Sequence, residues 1–247
     1  MSDLLAGLAP WPQVDFAEYG AVEIRKLSKI QRLVGSFLGR NWVAIPHVTH
    51  QDDADVTDLE ARRIERNAKG GIKITPVPLL VKAMAAALKA FPQFNASLDP
   101  VAGTLVVKTY VHIGVAVDTP GGLLVPVIRD CDTKSIDEIA GEIVAISDKA
   151  RTKGLSMPEM SGGGMTLTSL GHIGGTGFTP IVNAPEVAIL GVTRARPVAT
   201  PGPNGEVVWR QMLPLSLSYD HRVINGADAA RFCRFIAERL ADPALFG

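Results

Sequence analysis

The residues best able to do chemistry lie close together near the C-terminal end, in Ser216-Leu217-Ser218-Tyr219-Asp220-His221-Arg222-Val223-Ile224-Asn225-Gly226-Ala227-Asp228. Nowhere else in the chain do a base, a charge pair and a glycine crowd so tightly. A neutral imidazole takes a proton from a thiol or hydroxyl near pH 7 when a neighbour fixes its tautomer, so His221 reads as a general base. Alternation before it and helical spacing after it place His221 in a polar turn between a strand and a helix. A second reactive stretch is Gly162-Gly163-Gly164-Met165-Thr166-Leu167-Thr168-Ser169-Leu170-Gly171-His172, a strand that ends in a glycine-rich loop. There Ser169 stands where glycines let a substrate approach the backbone. From residue type alone Ser169 is a turn serine. His172 has no adjoining acid to orient it and is the weaker base.

Other combinations carry less. His47 and His50 are separated by an odd interval, which puts them on opposite faces of a strand, so they make no metal pair. Cys131 and Cys233 are far apart and form no CxxC motif, which indicates neither a zinc site nor a disulfide framework. Gly121-Gly122 lacks the further glycines and the lysine of a phosphate loop. The expectation is therefore no metal, with any cofactor-binding residues unassigned.

The elements that must position these groups follow from periodicity and punctuation. Ser28 caps a helix with Ile30, Leu33, Val34, Phe37 and Leu38 on one face, and a turn into a strand runs over Asn41 to Asp52. A charged helix covers Thr57 to Lys69. A second begins at Thr75-Pro76 and ends before Pro92. Strands are expected at Thr104 to Lys108 and His112 to Asp118, and a buried one follows the Gly121-Gly122 turn. Ser135-Ile136-Asp137-Glu138 is a capping box that opens a long amphipathic helix. Asn204-Gly205 turns a hairpin between Arg194 to Ala199 and Val207 to Leu217. The last helix runs from about Asn225 to Leu240. Strands interspersed with helices give an α/β class, a mixed sheet with helices packed on one side.

Composition sets the outer limits. The 247 residues, 47% hydrophobic, can bury a substantial core. Lys plus Arg and Asp plus Glu are both 25, and this balance argues against a nucleic-acid binder. No run approaches the ~18 apolar residues of a membrane span, and the N-terminus lacks the basic region of a signal peptide, so the expected location is cytoplasmic.

Asp220-His221-Arg222 with Gly226 resembles the Asp-His-Arg-x-x-Asp-Gly signature of the dihydrolipoamide acyltransferases, the core enzymes of 2-oxoacid dehydrogenase complexes. Ile45-Pro46-His47, Phe94-Asn95-Ala96, Gly122-Leu123-Leu124-Val125-Pro126-Val127-Ile128 and Thr168-Ser169-Leu170-Gly171 are similar to further segments of that family, from about Trp11 to the end. The usual second acid is replaced by Asn225, as in some pyruvate-type members.

The resemblance implies a chloramphenicol-acetyltransferase-like fold, trimeric, with trimers built into a larger core. It implies acyl transfer between a dihydrolipoyl thiol, carried on a separate lipoyl domain, and coenzyme A, through a ternary complex. His221 would be the base and Ser169 the oxyanion donor, with Asn225 orienting through its amide. His221 of one subunit would meet Ser169 of the next. Residues 1–20 would be a linker remnant or N-terminal arm and 21–247 the catalytic domain. Partners would be lipoyl domains and other components of the complex, with no nucleic acid or membrane. Acetyl is the leading acyl group, ahead of succinyl or a branched chain. The alternatives are a non-catalytic structural core subunit and a small-molecule O-acetyltransferase.

Overall fold

The structure, a computed structural model, describes residues 9–242 and Leu245. Five α-helices are seen among them: α1 (Lys29–Ala44), α2 (Thr57–Ala68), α3 (Pro76–Ala90), α4 (Ile136–Thr152) and α5 (Gly226–Ala241). The strands of the main sheet are β1 (His47–Asp55), β4 (Ile113–Val115), β7 (Val127–Ile128), β8 (Met165–Ser169), β9 (Ala188–Val192), β10 (Arg196–Pro201) and β11 (Val207–Asp220). Their order is β1-β11-β9-β8-β4-β7, with β10 also paired to β11. Two small ribbons stand apart, β2 (Ala96–Asp99) with β3 (Thr104–Val107) and β5 (Val117–Thr119) with β6 (Gly122–Leu124). The expected strand over His112 to Asp118 is thus divided between two sheets. Val117 to Thr119 folds back on Gly122 to Leu124, and Gly122 supplies the positive φ of 124° for the turn.

The capping signals do what their chemistry dictates. Ser28 Oγ accepts from the Gln31 N–H while Gln31 Oε1 accepts from the Ser28 N–H, and Ser135 with Glu138 forms the same reciprocal pair. The strand expected from Asn41 starts later, at His47, because α1 runs on through Ala44 until Pro46 ends it. Asn41 is buried there, its Nδ2 donating to the Val182 carbonyl at 3.0 Å.

β11 organises the packing. From Leu213 to Asp220 every residue is buried, because both faces of the strand are covered. Leu213, Leu215, Leu217 and Tyr219 face the main core, which α2, α3, α4 and α5 fill from one side. Phe94 and Phe232 stack there with centroids 3.9 Å apart, and Phe91 meets both edge-on. The opposite face carries Ser216, Ser218 and Asp220. It is covered by the loop between β8 and β9 and by the end of α1, through Ile45, Val182 and Ile189.

This second face is satisfied group by group. Thr49 and Ser218 share a hydrogen bond at 2.7 Å, and Ser216 Oγ accepts from the Phe178 N–H at 3.4 Å. His47 Nδ1 lies 2.8 Å from the Ile45 carbonyl and its Nε2 accepts from the Val182 N–H at 3.0 Å. A carbonyl only accepts, so the proton is on Nδ1 and His47 is a neutral structural histidine. The tip of the Phe178 ring stands against Gly191, where a Cβ would meet it at 2.6 Å.

Glu186 ends this layer. It is 6% exposed, and the Thr166 hydroxyl donates to its Oε2 at 2.7 Å. Burial pushes its carboxyl up to about 7, against the opposing pull of Thr166 and Lys108.

Two outcomes follow for stability. Phe232→Ala removes a ring stacked in the closed core and should cost about 3 to 5 kcal/mol, read as a lower urea midpoint at unchanged slope. For Glu186, the unfolded carboxyl ionises near its ordinary value of 4.5 while the folded one holds its proton to about 7. Its contribution is therefore full below pH 4.5 and falls away as pH rises through 7, by on the order of 3 kcal/mol per chain. Glu186→Gln should match wild type in denaturation midpoint near pH 4.5 and exceed it at pH 8. Equal midpoints at both pH values would contradict this account.

Candidate active site

The turn that carries His221 is built on a buried carboxylate. Asp220 is 2% exposed, and Arg222 clasps it bidentately, Nε to Oδ1 at 2.9 Å and Nη2 to Oδ2 at 2.6 Å. The Arg222 N–H donates to Oδ1 as well, at 3.0 Å, and the Asp220 carbonyl accepts from the N–H groups of Val223 and Ile224. The Asp220 N–H goes to Val187 and that of His221 to Pro46, so neighbouring strands hold the turn from both sides. Fork geometry of this kind fixes orientation as well as energy. Its product is an exposed imidazole, set between two residues that are locked to each other.

Asn225 closes the same segment. It is the N-cap of α5: its Oδ1 accepts from the Asp228 N–H at 2.9 Å, and its Nδ2 donates to Asp228 Oδ2 at 2.7 Å. Both ends of the amide are thus used within the first turn of the helix, one of them as an ordinary N-cap bond.

Ser169 ends β8, half-buried, and its Oγ accepts from the Gly171 N–H at 3.3 Å. A hydroxyl that accepts there keeps its own hydrogen free to donate elsewhere. The following loop is tied down by Arg194, which donates to the carbonyls of Gly171, His172 and Ile173. His172 is exposed and contributes its backbone carbonyl to that clamp.

The register separates His221 from Ser169. Ser169 lies opposite Val192, and Val192 opposite Leu215, six residues before His221. At about 3.3 Å per residue the two side chains are roughly 20 Å apart along the strands, with β9 between them. They cannot act on one bond within a single chain. Nor is there a second nucleophile at hand: the buried thiols of Cys131 and Cys233 are both pushed up to about 12 by desolvation.

Sequence reasoning singled out His221, Ser169 and Asn225 as candidates but did not anticipate the buried Asp220 fork or Glu186. Asp220 was readable in principle, since it continues the Ser216, Ser218 alternation into the layer under the β8–β9 loop. Glu186 follows Pro185 in a stretch without periodicity, and nothing in its neighbours marks it as buried.

Against this geometry stand the similarities to known proteins. Residues 19–247 match the family model of the 2-oxoacid dehydrogenases acyltransferase (catalytic domain). The chain is 54% identical over 241 residues to the dihydrolipoyllysine-residue acetyltransferase component of the pyruvate dehydrogenase complex of Pseudomonas aeruginosa, covering 96% of this chain and 44% of that relative. It thus spans less than half of the curated relative's length. A solved structure of Azotobacter vinelandii dihydrolipoamide acetyltransferase, concerned with a serine, a histidine and an asparagine in its catalytic mechanism, superposes with a TM-score of 0.93 at 50% identity, covering 97% of this chain and all of that one. In that protein the serine precedes the histidine by 52 residues and the asparagine follows it by four, the intervals at which Ser169, His221 and Asn225 stand. Chloramphenicol acetyltransferase, at 14% identity and a TM-score of 0.57, shares the fold. By the extent of the match and the identity to its relatives, the chain belongs to the 2-oxoacid dehydrogenase acyltransferase family, as its catalytic domain.

Proposed function

We propose that the chain transfers an acetyl group between a dihydrolipoyl thiol and coenzyme A, as a homotrimer built into the core of a pyruvate dehydrogenase complex. The observation that carries this reading is that an exposed, rigidly presented imidazole and a half-buried serine hydroxyl stand about 20 Å apart in one chain, so that a site using both needs a second copy. His221 takes the proton of the attacking thiol as its sulfur bonds to the thioester carbon. A thiol with an ordinary value near 8.5 is mostly protonated at neutral pH, so a positioned base contributes roughly 10²- to 10⁴-fold. Ser169, its hydroxyl hydrogen free, donates to the carbonyl oxygen as negative charge develops there. The His221 imidazolium then returns the proton to the departing thiol sulfur. With both buried thiols pushed up to about 12 and no histidine hydrogen-bonded to a serine among the described residues, direct transfer fits better than an acyl-enzyme.

The assembly has independent support. Trp11, Phe16, Tyr19, Ile24, Leu33, Phe37 and Trp42 form an exposed apolar run along the N-terminal arm and α1, more than a free surface ordinarily bears. Residues 9–28 hold one short 3₁₀ turn, Phe16–Tyr19, and bury no side chain, as an arm laid on a neighbour would. One structural relative is the cubic core of the pyruvate dehydrogenase multienzyme complex, at a TM-score of 0.93, and a cube has threefold axes through its corners. Acetyl takes precedence because relatives named for it reach 54% identity, against 43% for a branched-chain component. The dihydrolipoyl group would arrive on a separate lipoyl domain. No helix among the described residues is long and apolar enough to cross a membrane, and we place the complex in the cytoplasm.

The test is acetyl transfer from acetyl-coenzyme A to dihydrolipoamide by the assembled protein. His221→Ala should lower turnover by roughly 10²- to 10⁴-fold and Ser169→Ala by about 10²- to 10³-fold. Unfolding the two inactive variants together and reassembling them should recover activity that neither has alone. No recovery in verified mixed trimers would place both residues in one chain's site and sink the shared-site reading. Asn225→Asp keeps the helix cap but sets a carboxylate against Asp228. Its denaturation midpoint should fall by about 1 kcal/mol equivalent, with no gain in turnover per folded site.

A further inference from the structure

On the face of β1 that packs against α5, three donors of different chemistry converge. His50 and Asp52 are two residues apart on the strand and so share that face. Cys233 reaches it from α5. The ligand atoms of the three lie within 4.8 Å of one another. We propose that His50, Asp52 and Cys233 form a site for one zinc-class divalent cation that pins α5 to β1.

The surroundings favour a ligand set over a chance meeting. Asp52 Oδ1 is engaged twice, by the Asp53 N–H at 2.8 Å and by Arg234 Nη1 at 3.4 Å. Arg234 also donates to the Asp53 carbonyl at 3.1 Å. Both contacts fall on Oδ1, which orients the carboxylate and leaves Oδ2 free to bind, as outer partners do around metal ligands. Neither the His50 ring nor the Cys233 sulfur has a hydrogen-bond partner among the described residues. Ligand atoms about 2.0 to 2.3 Å from a tetrahedral zinc lie nearly 4 Å or less from one another, so small side-chain rotations close the set.

Sulfur, imidazole and a single carboxylate together select zinc or cobalt over magnesium or calcium, which want oxygen. Binding replaces the thiol proton by the cation and releases that proton to solvent. With neutral His50, the Asp52 carboxylate and the Cys233 thiolate, the dication is neutralised. A cavity of about 670 Å³, lined by His50, Asp52, Gln51, Phe91, Arg231 and Glu238, adjoins the cluster. It leaves a fourth position for water. The sequence hid this set because Cys233 is remote from β1 and the nearer histidine, His47, points to the other face.

The experiment uses the assembled full chain without a polyhistidine tag, stripped by chelator and dialysed against zinc, then cobalt. Wild type should take up one cation per chain. The cobalt form should show a thiolate-to-metal charge-transfer band in the near ultraviolet, and zinc should raise Tm. His50→Gln and Cys233→Ala should each abolish the band and the Tm rise, while Cys131→Ala leaves both intact. His50 is half-buried, so its variant tests the site even if Cys233→Ala does not fold. Failure to take up either cation, uptake unchanged in His50→Gln, or a cobalt spectrum without sulfur ligation would each overturn the proposal.

Discussion

A carboxylate deep in a fold is tolerable only with a partner that satisfies it, and in this chain the partner of Asp220 is two residues away. Because Arg222 reaches back across His221 to grip Asp220, the backbone between them has no freedom left. The histidine is forced outward whatever else happens around it. The long strand behind it exists to hold that carboxylate in place: eight consecutive residues of β11 are buried, apolar on the helical side and hydroxyl-bearing on the other. The helices, the β8–β9 loop and the small cluster at the end of α1 are all arranged to cover one or other side of this strand.

The hydroxyl-bearing side is unusual because polar groups are costly to bury unless each is paired. Here Ser218 is paired with Thr49, Asp220 with Arg222, and Ser216 with a backbone N–H of a loop that has no regular structure of its own. The neutral tautomer of His47, the Ser216 contact and the small Gly191 under Phe178 shape one surface of the loop to the sheet. Consequently the same loop that begins at Ser169 is anchored near the turn that carries His221. Ser169 and His221 therefore share a rigid layer although they stand at opposite ends of it.

Much of this was legible in the residues. The two capping boxes, the Asn204-Gly205 turn, the proline that opens α3 and the helix after Asn225 each rest on a local rule that operates over four or five residues, and the folded chain obeys them. Of the candidate site residues, His221 stood out by local chemistry, whereas Ser169 and Asn225 were singled out through the family pattern. What was not legible depends on distance along the chain. The burial of Asn41 is decided by its bond to Val182, the state of Glu186 by its burial against the pull of Thr166 and Lys108, and the separation of His221 from Ser169 by strand register. A one-dimensional reading sees neighbours, and these facts belong to residues that become neighbours only after the sheet forms.

The roughly 20 Å between Ser169 and His221 has a consequence for the life of the chain before it is assembled. If each chain carries half of two sites, a newly made copy is chemically silent. Its Ser169 would have no base facing it and its His221 no oxyanion donor, so neither half alone would squander acyl-coenzyme A by letting water take the place of the acceptor thiol. Activity then appears only at the moment of oligomerisation, and protein concentration becomes the first switch on the enzyme, thrown before any substrate arrives.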